Sequence, residues 1–224
     1  MSAFDEICRD GRQDVQSSPL GSLSLFCRYK LWKWMDARFT NGARKRRVLL
    51  NVYAIKQAAL PQWQTWFNDR SGELSRYISV CHRFVTGHFS SDDVSTFLFN
   101  DREDLESIGS HDGSPLSFDR ALAELTLLAA RAATEVGATD EPCLRGIPPL
   151  PGTVFAGDPF EYDGHYICSI IAAHGSEWEG ASQVEMRRQY WLTWINELLP
   201  VVCGDIVDAT ETVFSGFGLA GMSP

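Results

Sequence analysis

The sequence predicts an all-α protein, a single helical-bundle-like domain of about seven helices with a proline-rich connecting loop. Three observations predict it. Apolar residues recur at helical spacing in segment after segment. Capping residues stand at several segment ends, and the stretches between segments have the composition of loops. Apolar residues make up 44% and charged residues 22% of the 224-residue chain, a globular balance that supports a sizeable core. Seven tryptophans and thirteen phenylalanines supply large anchors for it.

In chain order, residues 22–39 place Leu25, Tyr29, Trp32, Met35 and Phe39 near one helical face, with Ser22 as N-cap. Residues 44–60 form a second helix through Val48, Leu49, Val52 and Ala59. Pro61 then kinks it or opens a segment holding Trp63, Trp66 and Phe67. Leu74, Tyr77, Ile78, Cys81, Phe84 and Val85 follow the i, i+3, i+4, i+7 rule, and Gly87 closes that helix in the left-handed conformation of a C-cap. Ser91, Asp92 and Asp93 open the next, because a hydroxyl cap and early carboxylates satisfy the free N–H groups. Its stripe is Val94, Phe97 and Leu98. Asp101 would fall on that stripe, so the helix breaks near Asn100.

The stretch 109–115 has loop composition, and Ser114-Pro115 starts a long helix from Phe118 to Val136 that stops at Gly137. Residues 138–157, with Pro142, Pro148, Pro149 and Pro151, form the connecting loop. Asp158-Pro159-x-Glu161 starts a helix continued by Ile167, Ile170 and Ile171, although Tyr166–Ile171 also fits a short buried strand. Ser182-x-x-Glu185 opens the last strong helix, with Val184, Trp191, Trp194, Ile195 and Leu198 on one face. The domain reading is an N-terminal segment 1–21, a helical domain 22–203 and a weakly ordered tail 204–224.

No run approaches the ~20 apolar residues of a membrane span, and the first ten residues carry charges where a signal peptide would be apolar, so the cytoplasm is the expected compartment. Six cysteines contain no CxxC pair and read as reduced, with Cys81 and Cys168 on apolar stripes. Neither HExxH nor GxSxG occurs. Gly216-x-Gly218-x-x-Gly221 matches a dinucleotide fingerprint in spacing only, since no helix follows to hold a pyrophosphate. His111 beside Asp112, and Asp163, His165 and His174, form no visible nucleophile–base pair. The expectation is a binding protein without cofactor, metal or catalysis.

The net charge of −9 is unevenly spread. Residues 1–91 carry 14 basic and 7 acidic groups, whereas residues 92–163 carry 4 and 15. The acidic half repels nucleic acid and attracts a basic partner. Asp92, Asp93, Glu103 and Asp104 lie away from the Val94, Phe97, Leu98 stripe and are the candidate partner-binding residues. Arg44-Lys45-Arg46-Arg47 reads as a solvated first turn or, in an alternative function, as the phosphate-binding patch of a nucleic-acid-associated or regulatory helical protein. Four positive charges there oppose the helix dipole and need carboxylates from the acidic half or an acidic ligand. Trp191 and Trp194, three apart, read as core anchors.

Two stretches carry a resemblance. The first runs from Leu60-Pro61-Gln62-Trp63 through Asn68-Asp69-Arg70 to Arg76-Tyr77-Ile78-Ser79-Val80-Cys81-His82-Arg83-Phe84-Val85-Thr86-Gly87. The second is Arg187-Arg188-Gln189-Tyr190-Trp191-Leu192-Thr193-Trp194-Ile195-Asn196-Glu197-Leu198-Leu199-Pro200. They resemble the early and C-terminal helices of an all-helical immunity protein family of bacterial polymorphic toxin systems, the fifth-numbered class. The alanine-rich helix Ala121–Ala133 fits that family's middle. The resemblance implies a protein that binds and neutralises a cognate toxin of the same cell by stoichiometric occlusion. The acidic face suits a basic toxin, such as a nuclease.

Overall fold

The computed structural model describes residues 2–40, 42–60, 71–101, 118–138, 164–173 and 184–217. Among them the chain is all-α, with no strand. The helices are α1 (Ala3–Ser17), α2 (Leu25–Arg38), α3 (Ala43–Ala58), α4 (Ser71–Thr86), α5 (Ser91–Asn100), α6 (Phe118–Ala138), α7 (Gly164–Ala173) and α8 (Val184–Thr193). Helix α8 runs on through a π-helical turn, Trp194–Leu198, into α9 (Leu199–Cys203), and α10 (Ile206–Phe214) follows. With the run from Val184 to Cys203 counted once, the described residues hold nine helices. Tyr166–Ile171 is helical, and the strand reading of that segment falls away.

Helix α3 is the axis. Val48, Leu49, Leu50, Val52, Ala54 and Ile55 are fully buried, so the apolar middle of the helix is covered on nearly every side. Helices α2, α4, α6, α7 and α10 pack around it. Gly164 sets how closely α7 approaches: a Cβ there would stand 2.5 Å from Asn51 Oδ1 and 3.2 Å from the Ala129 carbonyl, on α3 and α6. Trp191 and Trp194 are buried as expected, packed edge to face at 5.6 Å, and Trp194 meets Trp32 of α2 in the same way.

Local chemistry explains the helix ends. Ser24, two residues later than expected, caps α2 by accepting the Cys27 N–H. Gly87 ends α4 at φ +87°, and α5 stops at Asn100. Gly137, expected as a stop, lies inside the last turn of α6. The π turn has a cause in Pro200, which has no N–H to return to the Asn196 carbonyl; the preceding Leu199 N–H bonds back to the Trp194 carbonyl instead. The capping signals at Ser114-Pro115, Asp158-Pro159 and Ser182, and the loop 138–157, lie outside the described residues.

Helices α1 and α10 fall in the stretches that the sequence reading sets apart from the helical domain, 1–21 and 204–224. Both carry core residues: Cys8 and Val15 on α1, and Ala209, Val213 and Phe214 on α10. Asp205 caps α10 by accepting the Val207 and Asp208 N–H groups, and Lys56 of α3 donates to the Thr212 carbonyl at its far end. Phe214 also packs edge to face on His82 of α4, 4.8 Å between ring centres.

Candidate functional site

The basic cluster is neither a solvated turn nor an open phosphate patch. Arg46 and Arg47 are buried, because the start of α3 is driven in among the ends of other helices. Arg46 stacks over Phe39 at 4.1 Å and donates to the carbonyls of Val202 and Gly204, the latter at 2.8 Å, at the C-terminal end of α9. Arg47 pairs with Asp36 of α2 at 2.9 Å. Arg44 donates to the Ser91 hydroxyl and, at 3.4 Å, to the Gly137 carbonyl at the end of α6. The charges that oppose the dipole of α3 thus complement the C-terminal ends of α9 and α6. The carboxylate that meets Arg47 comes from α2, in the basic part of the chain.

His165 is likewise interior. Its Nδ1 accepts the Trp194 indole N–H at 3.1 Å, and its carbonyl accepts the Tyr190 hydroxyl at 3.1 Å. An acceptor at Nδ1 fixes the ring as the tautomer protonated on Nε2. Asp163, His174, His111 and Asp112 lie outside the described residues, and no three described His, Cys, Asp or Glu side chains come together as metal ligands. No described helix is long and apolar enough to cross a membrane. Burial pushes the Cys81 thiol up to about 12 and the Cys203 thiol up to about 12, which keeps both protonated and unreactive at neutral pH.

The open chemistry lies along α4 and α5. Ser90, Asp92 and Asp93 set the start of α5. The Asp93 carboxylate accepts from the Ser90 backbone N–H at 2.8 Å and its hydroxyl at 2.7 Å, while the Ser90 hydroxyl accepts the Asp93 N–H at 3.2 Å. This reciprocal cap holds the Asp93 carboxyl below the usual carboxylate range. Both Asp92 and Asp93 are exposed, Val94 is buried, and Phe97 and Leu98 are half-buried, which is the expected division of faces. Asp93 has a structural duty that the sequence reading does not give it. Glu103 and Asp104, the other two candidate residues, lie outside the described residues.

Asp92, Ser95 and Phe99 share the outward face of α5 at i, i+3 and i+7, and Phe99 is 77% exposed. At the other end of α5, Asp101 is buried where the apolar stripe would continue. It accepts the Tyr77 hydroxyl and the Arg76 guanidinium, the latter at 3.0 Å. Burial, reinforced by that bond to Asp101, raises the Tyr77 phenol well above its usual range.

Between α4 and α5 runs a groove of about 470 Å³, open to solvent. Helix α4 contributes Arg76, Ser79, Val80 and Arg83 to it, and α5 contributes Asp93, Thr96, Phe97 and Asn100. Phe89, in the turn between the helices, closes one end. The Arg83 guanidinium carbon sits over the Phe89 ring, 4.0 Å from its centre, and that of Arg76 sits over Phe97 at 5.8 Å. Arg83 forms no ion pair among the described residues. Sequence reasoning missed this groove; the signal for it is a second stripe on each helix, beside the core stripe.

Comparison with known proteins places this architecture. Among curated proteins none matches the chain. The family model described as immunity protein Imm5 matches residues 8–201, a span from α1 to α9 that includes the whole α4–α5 edge. The chain belongs to the Imm5 family of immunity proteins.

Proposed function

We propose that this protein neutralises a cognate bacterial toxin of a polymorphic toxin system, in the cytoplasm, by stoichiometric binding rather than by catalysis. The observation that carries the reading is family membership over residues 8–201. Immunity proteins protect the cell that makes a toxin, so the partner is a toxin protein.

The α4–α5 edge is the surface proposed to meet the toxin, with Asp92 and Asp93 as its described carboxylates and Glu103 and Asp104 as the remainder. Exposed like charges on one face are mildly unfavourable in the free protein and become favourable against a basic surface. Charge of this kind sets the association rate more than the affinity, which matters for a toxin that must be caught before it acts. A basic enzyme such as a nuclease fits that face. Against the nucleic-acid alternative, which relies on Arg44–Arg47, stands the burial of two of those four residues, Arg46 and Arg47, inside the fold.

Co-expression tests the reading. Cells carrying the candidate toxin domain encoded beside this chain should survive only when the chain is also expressed. Equal death with and without it would contradict the proposal.

A further inference from the structure

We infer that the α4–α5 groove is a docking seam for one amphipathic helix of the toxin. The helix is apolar along one stripe, bears carboxylates on the flank facing α4, and bears amines or guanidinia on the flank facing α5. The inference rests on the neutralisation reading for the identity of the partner and on the groove for everything else.

The spacing of the walls is the first argument. Arg76, Ser79, Val80 and Arg83 stand at i, i+3, i+4 and i+7 on α4, and Asp93, Thr96, Phe97 and Asn100 repeat that spacing on α5. Two helices that turn such stripes to a common groove present the seam that a third helix fills in a bundle. Each stripe spans two turns, about 10.5 Å of axis. An extended peptide is disfavoured, since mid-helix walls have no free backbone N–H or C=O with which to extend a sheet, whereas a helix satisfies its own backbone.

Charge decides the polarity of the occupant. Val80, Phe97 and Phe89 give the groove an apolar floor and end. On the α4 side, Arg83 is stacked over Phe89 and makes no ion pair with a described residue, while its charge reaches Asp93 across the groove and helps to hold that carboxyl down. A carboxylate of the incoming helix reaches it without disturbing a native ion pair. On the α5 side, Asp93 lines the groove with one carboxylate oxygen held in its cap. Opposite charge on the two walls fixes the direction in which a helix with unlike flanks lies, as flanking charges do in helix pairing.

The probe is a synthetic fluorescein-labelled helix of about five turns, with leucines along one stripe, glutamates on one flank and lysines on the other. The full chain should bind it saturably, one per chain. Thr96→Trp, an exposed position that fills the groove, should weaken binding about tenfold or more, as loss of a central contact does. Arg83→Glu should weaken it comparably, and a peptide carrying lysines in place of the glutamate flank should recover binding to that variant. This rescue separates a lost contact from a damaged fold. No saturable binding, or equal binding by all three proteins, overturns the inference. The toxin domain encoded beside the chain supplies the second arm, in which the peptide should displace it from the parent. A toxin complex that ignores both the peptide and Thr96→Trp overturns the inference and leaves neutralisation standing. A peptide that binds as expected to a chain that binds no toxin upholds the seam and removes the neutralisation reading.

Discussion

The start of α3 and the outer face of α4 both carry arginines, but their surroundings differ. Arg46 and Arg47 are buried, one stacked on Phe39 and bonded to two carbonyls, the other paired with Asp36. Arg83 is exposed, stacked on Phe89, and without an ion pair among the described residues. The same contrast separates the carboxylates, since Asp101 is buried under Tyr77 and Arg76 whereas Asp92 faces water. A charge inside the protein is tolerable only when its partners are supplied, so the buried set reports on the fold. The exposed set adds little to stability, and what it can do depends on a second molecule.

Substitution should separate the two sets by size of effect. The interior itself gives the largest. Trp191→Ala should lower stability by about 3–5 kcal/mol, read as a shifted urea midpoint, because the ring is fully buried and leaves a cavity. Trp191 and Trp194 can also be set against each other. The Trp194 indole donates to His165, whereas the Trp191 indole N–H has no acceptor among the described residues. Trp194→Phe should therefore cost more than Trp191→Phe, and the reverse order would contradict this assignment of the hydrogen bond.

Arg46→Ala comes next, at about 2–4 kcal/mol, through two orphaned carbonyls and a lost cation–π contact. Ser90→Ala should cost about 1 kcal/mol by removing one side of the α5 cap. Asp92→Lys should stay within about 0.5 kcal/mol of the parent and yet slow association with the toxin, most of all at low salt. Asp93 is a poorer probe of the partner than Asp92, because its reversal also breaks the cap.

The interior should also answer to alkali. Burial raises the Cys27 thiol from 9.0 to about 11, and Cys81 and Cys203 from 9.0 to about 12. The unfolded chain ionises these thiols from about pH 9, while the folded chain keeps them protonated. Their stabilisation is therefore complete below pH 9 and is lost as the pH rises through the folded values. Urea midpoints should be flat from pH 7 to 8.5 and fall above pH 9, and replacing Cys81 and Cys203 by alanine should flatten that fall.

The sequence was readable where a feature depends on neighbours in the chain. Gly87, the break at Asn100, the stripe on α4 and the burial of Trp191 and Trp194 are all local patterns, set by caps and by the 3.6-residue period. It was misread where the deciding partner is remote. Ser22 and Ser24 both suit a cap, and the Ser24 N–H is already held by Asp14, ten residues back on α1. Gly137 stays helical in the last turn of α6, whose carbonyl meets Arg44 from α3. Arg46 looks solvated in the sequence because its acceptors, Val202 and Gly204, lie more than 150 residues away. Of the candidate site, Asp92 and Asp93 were legible as an exposed start to α5. The groove was not, since it needs α4 and α5 side by side.

A titration of toxin activity tests the central claim most directly. The purified toxin domain, held at a concentration far above the dissociation constant, is mixed with rising amounts of the full chain. The account predicts that activity falls linearly and reaches zero at one equivalent, with a one-to-one complex recovered by gel filtration, and that Asp92→Lys reaches the same end point more slowly. Loss of activity at a small fraction of an equivalent would mean that the chain acts catalytically. Full activity at several equivalents would mean that it does not neutralise this toxin. Either result would contradict the account.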